Sequence, residues 1–204
     1  MRMRAGLSLL GAALLSACGG ESGPTVLENE AREAQTAATM AGWDRAFSTP
    51  RETIGRVNQF GFHAGDYAAD GDTFLTRGDP ITMSQSDAKA PNKAMFEAAG
   101  PTANRFERMV FTLAITDPAN ADTAKQRFAD MLRAFLSQYE LEDEGAFDAV
   151  IDETDADGPV AGTPASIAVD QREGDQRTIT VTFTRPTGTT PVIPDQGQAD
   201  GNRA

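Results

Sequence analysis

The 204-residue sequence predicts an α+β fold, a single small domain in which an antiparallel sheet is packed on one face by helices and ends in a terminal β-hairpin. Three observations carry this. In "FERMVFTLAIT", Met109, Phe111, Leu113 and Ile115 recur at period two, with Arg108, Val110, Thr112 and Ala114 on the other side, which is the pattern of a strand with one apolar face. Ala124, Phe128, Met131, Leu132, Phe135, Leu136 and Tyr139 then recur at spacings of three and four, which is the pattern of an amphipathic helix. Ile167 and Val169 alternate toward Glu173, Gly174 and Asp175, and Ile179, Val181 and Phe183 alternate away from them, so a hairpin turns there.

The remaining elements follow along the chain. Residues 26–46 are rich in Ala, Glu, Arg and Gln, and Ala31, Ala34, Ala38 and Ala41 share one face of the helix this composition favours. Thr49, Pro50 and Glu52 occupy the N-cap, first and third positions of a second helix, where the hydroxyl and carboxylate could satisfy free backbone donors reciprocally. Ile54, Val57 and Phe60 form its apolar stripe, and Gly61 stops it. Gly and Asp turn signals then bracket two short strands, Phe74 to Arg77 and Ile81 to Ser84. Between Asp87 and Asn104 the pattern is ambiguous and reads as a loop with a short helix around Ala94 to Ala99. Asp117 and Pro118 start the long helix, whose solvent face carries Lys125, Arg127, Asp130 and Arg133. Phe147, Val150 and Ile151 add one or two helical turns.

All eleven Phe, both Tyr and the one Trp lie between Trp43 and Phe183, whereas both ends are rich in small, polar and acidic residues. The expected boundaries are a signal peptide over 1–17, a tether and helix over 18–42, the domain over 43–185 and a disordered tail over 186–204. A core of roughly 140 residues buries about two thirds of its unfolded surface, so the domain needs no staple. The single cysteine allows no internal disulfide.

The net charge of −12 argues against nucleic acid as a partner and against docking on an anionic leaflet through a basic patch. Cationic "MRMR" precedes an apolar run of eleven residues, "AGLSLLGAALL", which is too short for a stable membrane span and reads as a signal peptide. At its end, Leu15, Ser16, Ala17 and Cys18 resemble the lipobox of bacterial lipoprotein precursors. The resemblance covers about the first twenty residues. It implies a diacylglyceryl thioether on Cys18, cleavage before that residue and acylation of the new amino terminus. Each buried methylene contributes about 0.8 kcal/mol, so several chains on one residue hold a soluble domain to a bilayer. Gly19 in place of an aspartate resembles the enterobacterial signal for the outer membrane. The expectation is a lipid-anchored envelope protein facing the periplasm, with another envelope protein as partner.

No catalytic constellation is legible, and no enzyme activity is expected. His63 is the only histidine and has no nucleophile or orienting group near it in sequence. Ser86 and Lys89 form S-x-x-K without its companion motifs, and Arg77, Gly78 and Asp79 spell an adhesion tripeptide that reads better as a turn. Phosphate-cradling glycine loops are lacking, so no nucleotide cofactor is expected. Nine acidic residues and no basic ones lie between Glu140 and Pro159. Within that run Glu153, Asp155, Asp157 and Gly158 imitate positions one, three, five and six of a calcium loop, but Pro164 stands where its bidentate carboxylate belongs. The acidic run reads as a solvated loop or a patch for a basic partner ahead of a calcium site. A small-ligand carrier is the alternative function, with a pocket between the Met109 to Ile115 face and the helix of Ala124 to Tyr139. Ordinary core is the favoured reading of those stripes.

Overall fold

The computed structural model describes residues 25–85, 89–172 and 174–186. Cys18 with the signal segment, Ser86, Glu173 and the tail from 187 lie outside the described residues. Helices α1 (Val26–Thr39), α2 (Gly42–Ser48) and α3 (Pro50–Asn58) lead into strands β1 (Ala68–Asp70), β2 (Thr73–Arg77) and β3 (Ile81–Thr82). Strands β4 (Lys93–Gly100) and β5 (Arg108–Ile115) precede helix α4 (Ala121–Ser137) and the short α5 (Asp148–Asp152). Strands β6 (Ala156–Val160), β7 (Thr163–Gln171) and β8 (Arg177–Thr184) complete the fold. All eight strands form one antiparallel sheet in the order β1-β2-β4-β5-β8-β7-β6, with β3 also pairing β4.

The predicted α+β class is what the chain adopts. Alternation decides which side of the sheet is covered. Ala94, Phe96 and Ala98 of β4, Met109, Phe111, Leu113 and Ile115 of β5, and Ile179, Val181 and Phe183 of β8 are buried on one face. Phe111 lies at its centre, with ring centroids 5.0 Å from Phe96, 5.3 Å from Phe135 of α4 and 6.2 Å from both Phe62 and Phe183. Trp43 of α2 stacks 4.8 Å from Phe183 and donates its indole N–H to the Val160 carbonyl at 2.9 Å, tying α2 to the β6 side of the sheet. Each such aromatic side chain brings a large apolar area out of water and usually finds a partner for its polar atom.

Buried polar side chains hold the connections. Asn92 accepts from the backbone N–H groups of Thr116 and Asp117 at 2.9 and 2.8 Å and donates to the Asp117 carbonyl at 3.0 Å, closing the bend between β5 and α4. Thr53 donates to the Ala46 carbonyl at 2.7 Å or shares its proton with the Tyr139 hydroxyl at 2.8 Å, joining α3 to α2 and to the end of α4.

Several expectations are corrected. The helix expected at Ala94 to Ala99 is strand β4, because Ala94, Phe96 and Ala98 face the core while Lys93, Met95 and Glu97 face away. Pairing along seven positions of β5 overrides the helix propensity of Ala and Glu. The helix expected over 26–46 is two helices, broken before Gly42, which has φ +55°. Ala31, Ala38 and Ala41 are exposed, so that face is open to solvent at these positions. The capping box at Thr49 does not form. Thr49 donates to the Arg45 carbonyl at 2.7 Å, and Glu52 binds the guanidiniums of Arg45 and Arg56. Strands β1 and β6 were not expected. Lys125, placed on the solvent face of α4 by periodicity, is 7 % exposed.

Candidate functional site

Along the sheet, the face away from the helices has another chemistry. It carries Met95 and Glu97 of β4, Val110, Thr112 and Ala114 of β5, Thr178, Thr180, Thr182 and Thr184 of β8, and Ser166 and Ala168 of β7. Apart from Met95, Thr184 and Ala168, which are exposed, these are half-buried. Small and β-branched side chains pack well against cross-strand neighbours and leave a low, even surface. One end is charged, where Glu97 pairs Arg77 at 2.8 Å and approaches Arg108 at 3.8 Å. Both arginines are exposed, so these pairs contribute little stability.

The calcium-loop imitation is dismantled by the fold. Glu153, in the left-handed region at φ +53°, hydrogen-bonds both Lys125, at 2.8 Å, and Arg177, whose Nη2 lies 2.6 Å from Oε1. The Arg177 hydrogen bonds lead, with Lys125 added, in holding the Glu153 carboxyl below the usual glutamate range against the effect of burial. Burial opposes the charge of Lys125, but the hydrogen bonds it donates to Glu153 and Asp122 outweigh it and raise its pKa. Asp155 accepts the Val169 N–H at 2.7 Å, and Asp157 lies in β6 opposite Ser166. Asp143 and Asp148 pair Arg133 at 3.1 and 3.0 Å. Among the described residues no group of three or more His, Cys, Asp or Glu is placed to hold a metal ion.

The remaining sequence candidates are not brought together. His63 is exposed, at φ +48°, beside Phe62 and Ala64, which are buried. Arg77, Gly78 and Asp79 lie at a bulge, since Gly78 to Pro80 on the β2–β3 side face only Met95 and Phe96 of β4. A Cβ on Gly78 would come within 2.9 Å of the Phe62 Cβ, so close packing requires this glycine. The predicted stripes of β5 and α4 pack against each other, with Met109, Phe111, Leu113, Ile115, Phe128, Leu132, Phe135 and Leu136 no more than 1 % exposed. They are core, as the favoured reading had it. A shallow hollow elsewhere is lined by Glu52, Gly55, Arg56, Gln59 and Gln138. Beneath it the Arg56 guanidinium sits 4.5 Å over the Tyr139 ring, whose buried hydroxyl is pushed up to about 12 by desolvation.

Sequence reasoning missed one feature of the covered side. Arg185 is 6 % exposed and, among the described residues, pairs with no carboxylate. No helix among the described residues is long and apolar enough to cross a membrane. Comparison with protein-family models, with curated proteins and with solved structures finds no match for this chain.

Proposed function

We propose that this chain is a lipid-anchored bacterial envelope protein whose domain is a non-catalytic interaction or accessory module facing the periplasm. The observation that carries the reading is the order of the first eighteen residues: two arginines, an apolar run of eleven residues ending in Leu15, then Ser16, Ala17 and Cys18. Palmitate-type acyl chains on Cys18 are the membrane anchor, and the outer membrane is the destination that Gly19 favours. The partner is another envelope protein, and its docking surface is the open sheet face. Favouring the sheet over the acidic segment is the engagement of Asp143, Asp148, Glu153 and Asp155 in contacts within the domain. A row of small side chains without long, entropically costly arms also suits a protein interface.

Intact mass of the membrane-extracted protein tests the anchor, with a start at Cys18 plus acyl chains expected. A start elsewhere, or a mass without acyl chains, overturns it. Crosslinking in intact cells, read by mass spectrometry with Cys18→Ser as the mislocalised control, tests the module, and one defined envelope protein is expected. Recovery of a bound small molecule alone would replace the module with a carrier.

A further inference from the structure

We propose that the open face of the sheet is the interface of a symmetric homodimer, in which a second copy of this chain packs on it about a two-fold axis running along the strands between β5 and β8. Such a dimer rests on the reading of that face as a docking surface and gives it an occupant. The strand register carries it. One cross-strand row of the face runs Lys93, Ala114, Thr178 and Asp170, from β4 through β5 and β8 to β7. Another runs Arg77, Glu97, Val110, Thr182, Ser166 and Asp157, from β2 across to β6. Each row begins in a cation and ends in an anion, and both have their midpoint between β5 and β8. All four end residues are exposed. Among the described residues, Lys93, Asp157 and Asp170 enter no ion pair within the domain.

A two-fold axis in the interface and along the strands reverses the strand order of the facing copy and keeps each row opposite itself. Lys93 then meets Asp170 of the second copy, and Arg77 meets its Asp157. An isologous interface makes every contact twice, so opposite charges close the rim on both sides. The row between them runs Met95, Thr112, Thr180 and Ala168. There the same operation sets Met95, 38 % exposed, on the small exposed Ala168, where a flexible thioether side chain packs readily. An axis across the strands would instead set the Lys93 and Arg77 side on itself, cation over cation. A neutral centre inside a charged rim is also how protein interfaces are built. The six strands from β2 to β6 are 5 to 9 residues long. Spaced about 4.8 Å apart and rising about 3.3 Å per residue, they make a face of roughly 700 Å². Two copies bury roughly 1,400 Å², within the range of specific interfaces.

Light scattering and sedimentation test this on the mature chain from residue 18, with Cys18→Ser so that no acyl chain drives association. A dimer is expected at about 100 μM that dissociates as salt rises from about 0.05 to about 0.5 M. Lys93→Glu and Asp170→Lys each set like charges over one another twice, and each is expected to weaken dimerisation about tenfold or more. Combined in one chain they restore opposite charges across the axis, so the double variant should return to within about threefold of the native dimer. Both positions are exposed, so the variants keep the fold. A monomer at every concentration, a dimer indifferent to Lys93→Glu, or a double variant as weak as the single ones would overturn the dimer. Crosslinking in intact cells separates that failure from failure of the docking face. A monomer that captures a different envelope protein and loses it in Thr180→Arg overturns only the dimer, whereas a monomer whose crosslinks ignore Thr180→Arg overturns both.

Discussion

The two faces of the central sheet are made by the same strands, yet they differ in almost every property. On the helix side, Phe96, Met109, Phe111, Leu113, Ile179, Val181 and Phe183 are at most 2 % exposed. On the open side, one residue along in each strand, stand Met95, Val110, Thr112, Thr178, Thr180 and Thr182. The comparison teaches how register is specified. A slip of one residue between β5 and its neighbours would bury threonine hydroxyls under α4 and expose phenylalanines. Each hydroxyl left without a partner would cost about 1–3 kcal/mol, so the alternation selects one register with a wide margin.

The largest effect expected is on the covered side. Phe111→Ala removes a ring that touches four others and leaves a cavity that a rigid β5 cannot close, so a loss of about 3–5 kcal/mol is expected in denaturant unfolding. A loss under 1 kcal/mol would mean that this face is not the close-packed core. Second comes the ionic closure at the edge of that core. Glu153→Gln leaves Lys125 and Arg177 without their shared carboxylate, and a loss of about 3 kcal/mol is expected at neutral pH. The folded carboxyl titrates below its ordinary value of 4.5. Its contribution is therefore complete above that value and is lost as pH falls through the lower, folded value. The native chain should lose stability over that acid limb, while Glu153→Gln shows a flatter one. Parallel acid limbs would remove Glu153 from the account.

Third is the polar hinge between sheet and helix. Asn92→Ala strands the N–H groups of Thr116 and Asp117, at an expected cost of about 2 kcal/mol. Hydrogen exchange should then quicken first at those two amides, and unchanged exchange there would show that they are held by something else.

Legibility from sequence divides along the same line as the two faces. Strands β5 and β8 were readable because their buried positions are large and apolar while the alternate ones are mostly Thr. Strand β4 was not, because Ala94 and Ala98 are buried yet small, and Ala99 behind them blurs the alternation. Strand β6, "ADGPV", hides behind Gly158 and Pro159. At the edge of the sheet a proline forfeits nothing, since the N–H it lacks has no strand to bind. Glu153 was noticed for its spacing to Asp155 and Asp157, but its partners come from α4 and β8, at separations of 28 and 24 residues that no local pattern encodes. Lys125 lies on the polar arc of α4, and the Glu153 it pairs with is brought to it from the end of α5. Only in folding do such charges meet.

The smallest stability effect, on the open face, discriminates best between a scaffold and a docking surface. Thr180→Ala and Thr182→Ala remove half-buried methyl and hydroxyl groups that have no hydrogen bond to another side chain, so each should change stability by no more than about 0.5 kcal/mol. Thr180→Arg adds a long cation to the middle of this low surface while leaving the covered face untouched. If the open face is where an envelope partner rests, Thr180→Arg should abolish crosslinking in cells with the fold and membrane fraction unchanged, and Thr180→Ala should reduce it slightly. Equal crosslinking by all three variants would leave the open side a solvated surface and move the docking site elsewhere on the domain. The outcome separates partner binding from folding because the same strands can be perturbed on either face, at costs that differ by several kcal/mol.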